Sequence, residues 1–352
     1  MVKAWVSRIG VAVVCGLLTS AAPAAHAHAR VRRVPERYQT IQAAIDASSA
    51  GDVVDVAPGS YCGATVTTAV TLQGHGRATI VGCPQSPTIS GELRAGFSLP
   101  GADGVSAASG TRIEGFVFDG RGIAEDDLDP LSLGVFARFA NDVRVTENVF
   151  LGTVQAITNT AGDGWFIARN RIEGLTLFDC TGALCAGGDG IVIQLAHDSI
   201  AAAGGPGAPI NRPEHNIVIG NQVTGSVPDG FAAFSMVGVF VFAADDTAVE
   251  RNTVSIPDNP NADATGEGVL ISNVCCGEPA ISPGARRTVV LFNNGRDSQF
   301  GVVVEGSNGD NTGGLKLFGN SGPVLVEGTL VDDLPPRRPL VARRPFGRRT
   351  LF

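Results

Sequence analysis

The chain has 352 residues, 44% of them hydrophobic, with 26 basic against 34 acidic residues and a net charge of −8 at pH 7. A length of this kind without a long polar linker fits one large elongated domain, and an acidic body with no basic patch interleaved with aromatics excludes a nucleic-acid partner. No apolar stretch reaches the length of a bilayer crossing, so no membrane span is expected.

Residues 1–27 read as a secretory signal. Lys3 and Arg8 form its charged part, Ile9 to Leu18 its apolar run and Ala25-His26-Ala27 a cleavage site. The protein is therefore expected to be secreted or periplasmic. Without the signal, 24 basic residues face 34 acidic ones, net −10. A basic segment, 28–37, comes next. Thr40-Ile-Gln-Ala-Ala-Ile-Asp-Ala then predicts a short helix with Thr40 as N-cap and Ile41, Ala44 and Ile45 on one face, a stripe cut short by the polar Ser48. Gly51 to Tyr61 reads as a strand closed by the Pro58-Gly59 turn.

From there on a short phrase recurs: an aliphatic residue, two free positions, an Asn, then another apolar residue and a Gly. Full copies are Val145/Asn148/Phe150/Gly152, Ile167/Asn170/Ile172/Gly174 and Val218/Asn221/Val223/Gly225. Degenerate copies follow at Val249/Asn252/Val254, Val290/Asn293 and Leu317/Asn320, and an earlier one carries Phe116 in the place of the Asn. Second apolar segments open mostly on Gly: Gly134, Gly190, Gly238, Gly268 and Gly301. Segments so short and so rich in Val, Ile and Phe are strands. The shortest unit, Asn148 to Asn170, is 22 residues long and holds about three strands, so stacked units make a parallel β-helix. The Asn residues are expected to tolerate a left-handed turn and to bond up the stack as a ladder. The N-terminal helix is expected to cap the end of that stack.

The segments "TIQAAIDASSAGDVVDVAPGSY" and "VTLQGHGRATIVG", Thr40 to Cys83, resemble the opening of the right-handed parallel β-helix proteins of the pectin-lyase-like superfamily, and the likeness runs over residues 38–330. It implies an all-β, right-handed single-stranded parallel β-helix over 38–334. The superfamily holds polysaccharide lyases, polygalacturonase-type hydrolases, pectin esterases and non-enzymatic repeat proteins. Each catalytic pattern is incomplete here. Gly188-Asp189-Gly190 has Gly where the hydrolases have the first Asp of a pair, Gly74-His75-Gly76 lies far upstream in the cap region, and no Arg-x-Lys occurs. Gly162-Asp163-Gly164-Trp165-Phe166-Ile167 shares only the outline of the esterase strand. Lys316 is the single Lys beyond the signal, so a lyase base would have to be an Arg.

The 22-residue unit locates extra chain. From the Gly of the phrase to the next Gly-led strand takes 4 residues in the short unit (Gly152 to Ala156) but 14, 16, 13 and 12 elsewhere, so four insertions leave one corner side by side. That corner carries Asp189, Glu267 and Asp229 as candidate catalytic carboxyls and Phe231 and Phe234 as a candidate sugar platform. Asp189 and Glu267 both precede a strand-opening Gly and lie two coil steps apart, about 10 Å, against the ~6.5–9.5 Å of an inverting acid/base pair. Acidic loop residues also serve solubility alone. Asp126, Asp127 and Asp129 form a candidate Ca²⁺ cluster. A second corner carries His197, Asp198, Arg212, Glu214 and His215.

Six cysteines follow the signal, as suits an oxidising compartment. Cys62 and Cys83 are about one coil apart, Cys180 and Cys185 can pair locally, and Cys275 and Cys276 are adjacent; spacing leaves the pairing open. Six arginines between 337 and 349 mark 335–352 as a flexible tail and leave 18 basic against 34 acidic residues, net −16, in 28–334. That charge repels an uncompensated polyanion and leaves neutral or calcium-bridged uronate polysaccharides as partners. Two functions stay open: a polysaccharide hydrolase or lyase using the loop carboxyls, and a non-catalytic glycan-binding or scaffold protein.

Overall fold

The computed structural model describes residues 29–89, 93–122, 130–176, 188–196, 211–229, 235–262, 264–273, 284–305, 313–326 and 329–331. The coils present short strands to three parallel faces. The first face stacks Val53–Val56, Arg144–Thr146, Phe166–Ala168, Ile217–Ile219, Ala248–Glu250, Val289–Leu291 and Lys316–Phe318. The second stacks Gly59–Cys62, Val149–Leu151, Arg171–Leu175, Gln222–Gly225 and Thr253–Ser255. Strands Thr71–Val81 and Arg112–Asp119 run through both of these faces. The third face stacks Leu93–Leu99, Leu133–Arg138, Gln155–Thr160, Asp189–Gln194, Met236–Phe242, Gly266–Ser272, Phe300–Val304 and Val324–Val326, and is closed by an antiparallel strand, Thr329–Val331. This is the parallel β-helix that the repeat predicts.

The apolar positions of the phrase fill the interior as continuous columns. On the first face Val54, Leu72, Ile113, Val145, Ile167, Val218, Val249, Val290 and Leu317 are successive register partners. On the second, Phe118 stacks on Phe150 with ring centroids 4.6 Å apart and planes 7° from parallel, close to the ~4.8 Å strand spacing. Where a third-face strand opens on Gly, as at Gly134, Gly190 and Gly238, that Gly meets this core directly. A Cβ on Gly134 would lie 2.4 Å from the Phe150 ring.

The Asn ladder is continuous. Asn148, Asn170, Asn221, Asn252 and Asn293 each donate both the backbone N–H and the side-chain amide to Oδ1 of the next Asn, ending on Asn320, and each amide also donates to a carbonyl of a neighbouring coil. Phe116 joins through its backbone, donating to Asn148 Oδ1 at 2.9 Å while its own ring packs in the core. One expectation is corrected: the left-handed residue is not the Asn but the one before it. Glu147, Arg169, Arg251 and Phe292 have φ of 58°, 54°, 52° and 55°. The Asn thus stays out of the left-handed region and spends its amide on the ladder, which holds the bend its neighbour makes.

At the front, helix Ile41–Asp46 starts on Thr40, whose hydroxyl accepts from the backbone N of Ala43, and buries Ile41, Ala44 and Ile45. The basic segment ahead of it also joins the sheet: Val31–Val34 pairs with Val53–Val56. Arg32 explains how a charged segment is accommodated, because its guanidinium bonds the buried Asp52 at 2.9 and 3.2 Å. Cys62 and Cys83 are joined by a disulfide. The Gly74-His75-Gly76 sequence is the bulge inside Thr71–Val81, with His75 Nε2 2.6 Å from Asp55 Oδ1. No described helix is long and apolar enough to cross a membrane. The signal, the tail, Cys180, Cys185, Cys275 and Cys276 lie outside the described residues.

Candidate functional site

The four long connections do share one corner. Each leads from a second-face strand to a third-face strand: out of Arg112–Asp119, Arg171–Leu175, Gln222–Gly225 and Thr253–Ser255, into Leu133–Arg138, Asp189–Gln194, Met236–Phe242 and Gly266–Ser272. Asp229 ties two of them together by accepting from the Asn259 amide at 2.8 Å and the Asn261 amide at 3.5 Å. Among the described contacts it is therefore a loop-to-loop brace and is not brought against the other two carboxyls. Phe231, Phe234, Asp126, Asp127 and Asp129 lie outside the described residues, as do His197 and Asp198.

Asp189 and Glu267 are strand residues. Register aligns Leu133, Gln155, Asp189, Val237, Glu267 and Phe300 in one column of the third face. The column points away from the core. In each strand the Gly and the residue after it turn inward, Gly190 against Val223 and Ile191 into the main cluster, which leaves the residue before the Gly on the outer side. That outer side is itself apolar and buried: Val192, Val237, Phe240, Leu270 and Val303 form a second hydrophobic cluster on it. Asp189 and Glu267 are 7% and 5% exposed in these surroundings.

Their polar partners are few. Asp189 Oδ2 accepts from the Gln155 amide at 3.2 Å. Glu267 Oε1 accepts from the Thr265 and Ser235 hydroxyls at 2.8 and 2.9 Å, and these two hydroxyls lie 2.6 Å apart. Glu267 Oε2 is buried without a hydrogen-bond partner. No Arg, Lys or His among the described residues pairs with either carboxyl. Burial pushes Asp189 up to about 7 against the Gln155 hydrogen bond, with the charge of Glu267 adding to the rise. Burial likewise pushes Glu267 up to about 7, opposed by Thr265 and Ser235 and reinforced by Glu305. Burial thus favours the neutral form of both carboxyls well above the ordinary carboxylate range.

The second corner is built differently. Asp245, which has no flanking motif to mark it in the sequence, is fully buried and takes hydrogen bonds from Arg212 at 2.9 Å and from Arg286 at 2.5 and 3.1 Å. Burial pushes its carboxyl up, but the bonds from Arg286 and Arg212 outweigh that and hold it below the usual range. Arg212 thus serves a structural ion pair. Glu214, His215 and Asp246 bring potential metal-ligand atoms within 4.8 Å of one another. Both oxygens of Asp246 are nevertheless engaged by Arg287 at 2.5 and 2.6 Å, so a cation there would have to displace a guanidinium.

No family model matches the chain, and no curated protein matches it. Among solved structures it is similar to PfbA, a surface adhesin of Streptococcus pneumoniae, with a TM-score of 0.52 and 14% identity over 87% of this chain and 83% of that one. A likeness at that identity is one of fold: the two chains share the β-helix.

Proposed function

We propose that this is an exported β-helix protein that binds a neutral polysaccharide along the corner between its second and third faces. The observation that carries the reading is the column of two buried carboxyls, Asp189 and Glu267, at the root of the corner where the four insertions gather. A fold alone has no use for them. The other rungs of their column are Leu133, Gln155, Val237 and Phe300, none of them charged, and burying a carboxyl without a cation is costly. A protonated carboxyl beside hydroxyls and an amide is, by contrast, suited to sugar hydroxyls, which donate and accept in turn. The strongly acidic body agrees with a neutral ligand, and the surface-adhesin neighbour agrees with a binding role.

A second reading has its own support. Two carboxyls two strand steps apart, both raised to about 7, are the kind of pair that inverting hydrolysis uses as acid and base. One experiment separates the readings. The secreted protein is incubated with a panel of neutral and uronate polysaccharides, with Ca²⁺ and with chelator, while retention, new reducing ends and unsaturated-product absorbance are followed. Retention on a neutral glycan without new ends supports binding. New ends lost in Asp189→Asn identify the hydrolase. Absorbance would require an Arg base, and retention only with Ca²⁺ would point to a calcium-bridged uronate.

A further inference from the structure

The third face contains the elements of a proton-operated lock. Its outer side buries two carboxyls in one column, and the groups facing them are known from every described strand packed against them. Gln155 faces Asp189 from the strand below. Ser235 and Thr265 face Glu267 from the chain entering the two strands at that level, and Glu305, at the end of the adjoining third-face strand, adds a third acidic group. Val237 separates the two carboxyls, and Phe300 follows Glu267. A neutral carboxyl sits in such a column at little cost. Among the described residues an ionised one there has an amide or hydroxyls but no cation for a partner, and Glu267 Oε2 is buried without a hydrogen bond.

We propose that protonation of Asp189 and Glu267 holds the third-face strands Asp189–Gln194, Met236–Phe242 and Gly266–Ser272 closed, and that ionisation loosens them. The mechanism is electrostatic and local. Two negative charges appear in one apolar column, and the charge of Glu305, at the far end of the neighbouring strand, adds to the effect on Glu267. Among the described residues no such pair lies on the first face. Three of the four corner insertions lead into these same strands, so the lock acts where the chain proposed to hold the glycan is rooted. That consequence rests on the binding reading, and it makes glycan retention stronger in mildly acidic medium than above neutrality.

Hydrogen exchange tests the lock without any ligand, so its outcome is independent of whether the glycan reading stands. Protection factors, corrected for intrinsic exchange, are compared at about pH 5.5 and about pH 8.5. The expected result is a drop of at least about tenfold in the three third-face strands at the higher pH, with first-face strands such as Ile217–Ile219 unchanged. The Asp189→Asn/Glu267→Gln double variant, neutral at both pH values, is expected to abolish the drop. Glu147→Gln, at an exposed site in the turn after the first face, is expected to leave it intact. Equal protection at both pH values overturns the proposal. So does a uniform loss over all faces, or a drop that survives in the double variant. Glycan retention measured at the two pH values then reports on the corner: a lock that operates without altering retention overturns the link to binding alone.

Discussion

Two polar columns climb this solenoid, and they are opposites in hydrogen-bond accounting. The Asn ladder lies at the turn between the first and second faces, and every amide in it both donates and accepts, rung after rung. The column on the outer side of the third face has carboxyls at two of its rungs, separated by a valine, and leaves one buried oxygen unpartnered. Burial is similar in the two. What differs is satisfaction: a buried amide bonded on all sides stabilises a coil, whereas a buried carboxyl without a cation raises its own proton affinity and destabilises the fold when it ionises. The first column is an element of architecture. The second makes sense only if something other than stability selects it.

The comparison is broken most decisively at the ladder. Asn221→Leu removes an amide that donates to Ile167 O and Asn252 Oδ1 and accepts twice from Asn170, leaving buried groups unpaired. We expect a loss of about 3–5 kcal/mol in a denaturant titration; a loss below about 1 kcal/mol would show that the ladder is dispensable. Asp245→Ala examines a buried carboxyl that does have cations. It removes the carboxylate that both Arg212 and Arg286 bond and is expected to cost about 3 kcal/mol. The column should respond with the opposite sign. Asp189→Asn and Glu267→Gln are each expected to stabilise the protein by about 1–3 kcal/mol at pH 8, read as a higher Tm.

The pH dependence follows from the same values. Asp189 and Glu267 rise from the ordinary 3.8 and 4.5 to about 7 on folding. Between those limits the folded chain holds protons that the unfolded chain has released. Their contribution is complete below about pH 4 and is lost as pH climbs through about 7. Asp245 behaves in the reverse way: its lowered value contributes above the ordinary carboxylate range and is lost as pH falls through the folded value. Melts across pH should therefore peak in the mildly acidic range, and a peak at or above neutrality would contradict both assignments. The smallest effect belongs to the surface. Arg169→Ala, which breaks an exposed pair with Glu147, should change stability by less than about 0.5 kcal/mol.

The fold was legible because it repeats. Asn148, Asn170 and Asn221 announce a ladder since the same geometry is solved by the same residue each time, and the Gly-led strands mark where backbone must approach the Phe150 and Val223 side chains. The corner was legible for the converse reason, as the place where the period stretches. The turn residues were not. Glu147, Arg169 and Phe292 adopt left-handed backbone that nothing in their chemistry favours, because the ladder beside them holds the bend. Nor was the burial of Asp189 and Glu267 legible. Their positions beside Gly could be read, but the apolar outer side of the third face could not, since strands rich in Val and Phe look alike whether one side or both are covered. Asp245 went unseen because its partners, Arg212 and Arg286, lie 33 and 41 residues away.

The rungs of the Asn ladder are 22, 51, 31, 41 and 27 residues apart along the chain, yet each closes with the same pair of bonds. The ladder counts turns and is indifferent to how much polypeptide is spent between them. A scaffold of that kind accepts foreign peptides at its loop-bearing corner without a change of register above or below, so segments of chosen length can be grafted there, several in a row, at a fixed rise per insert.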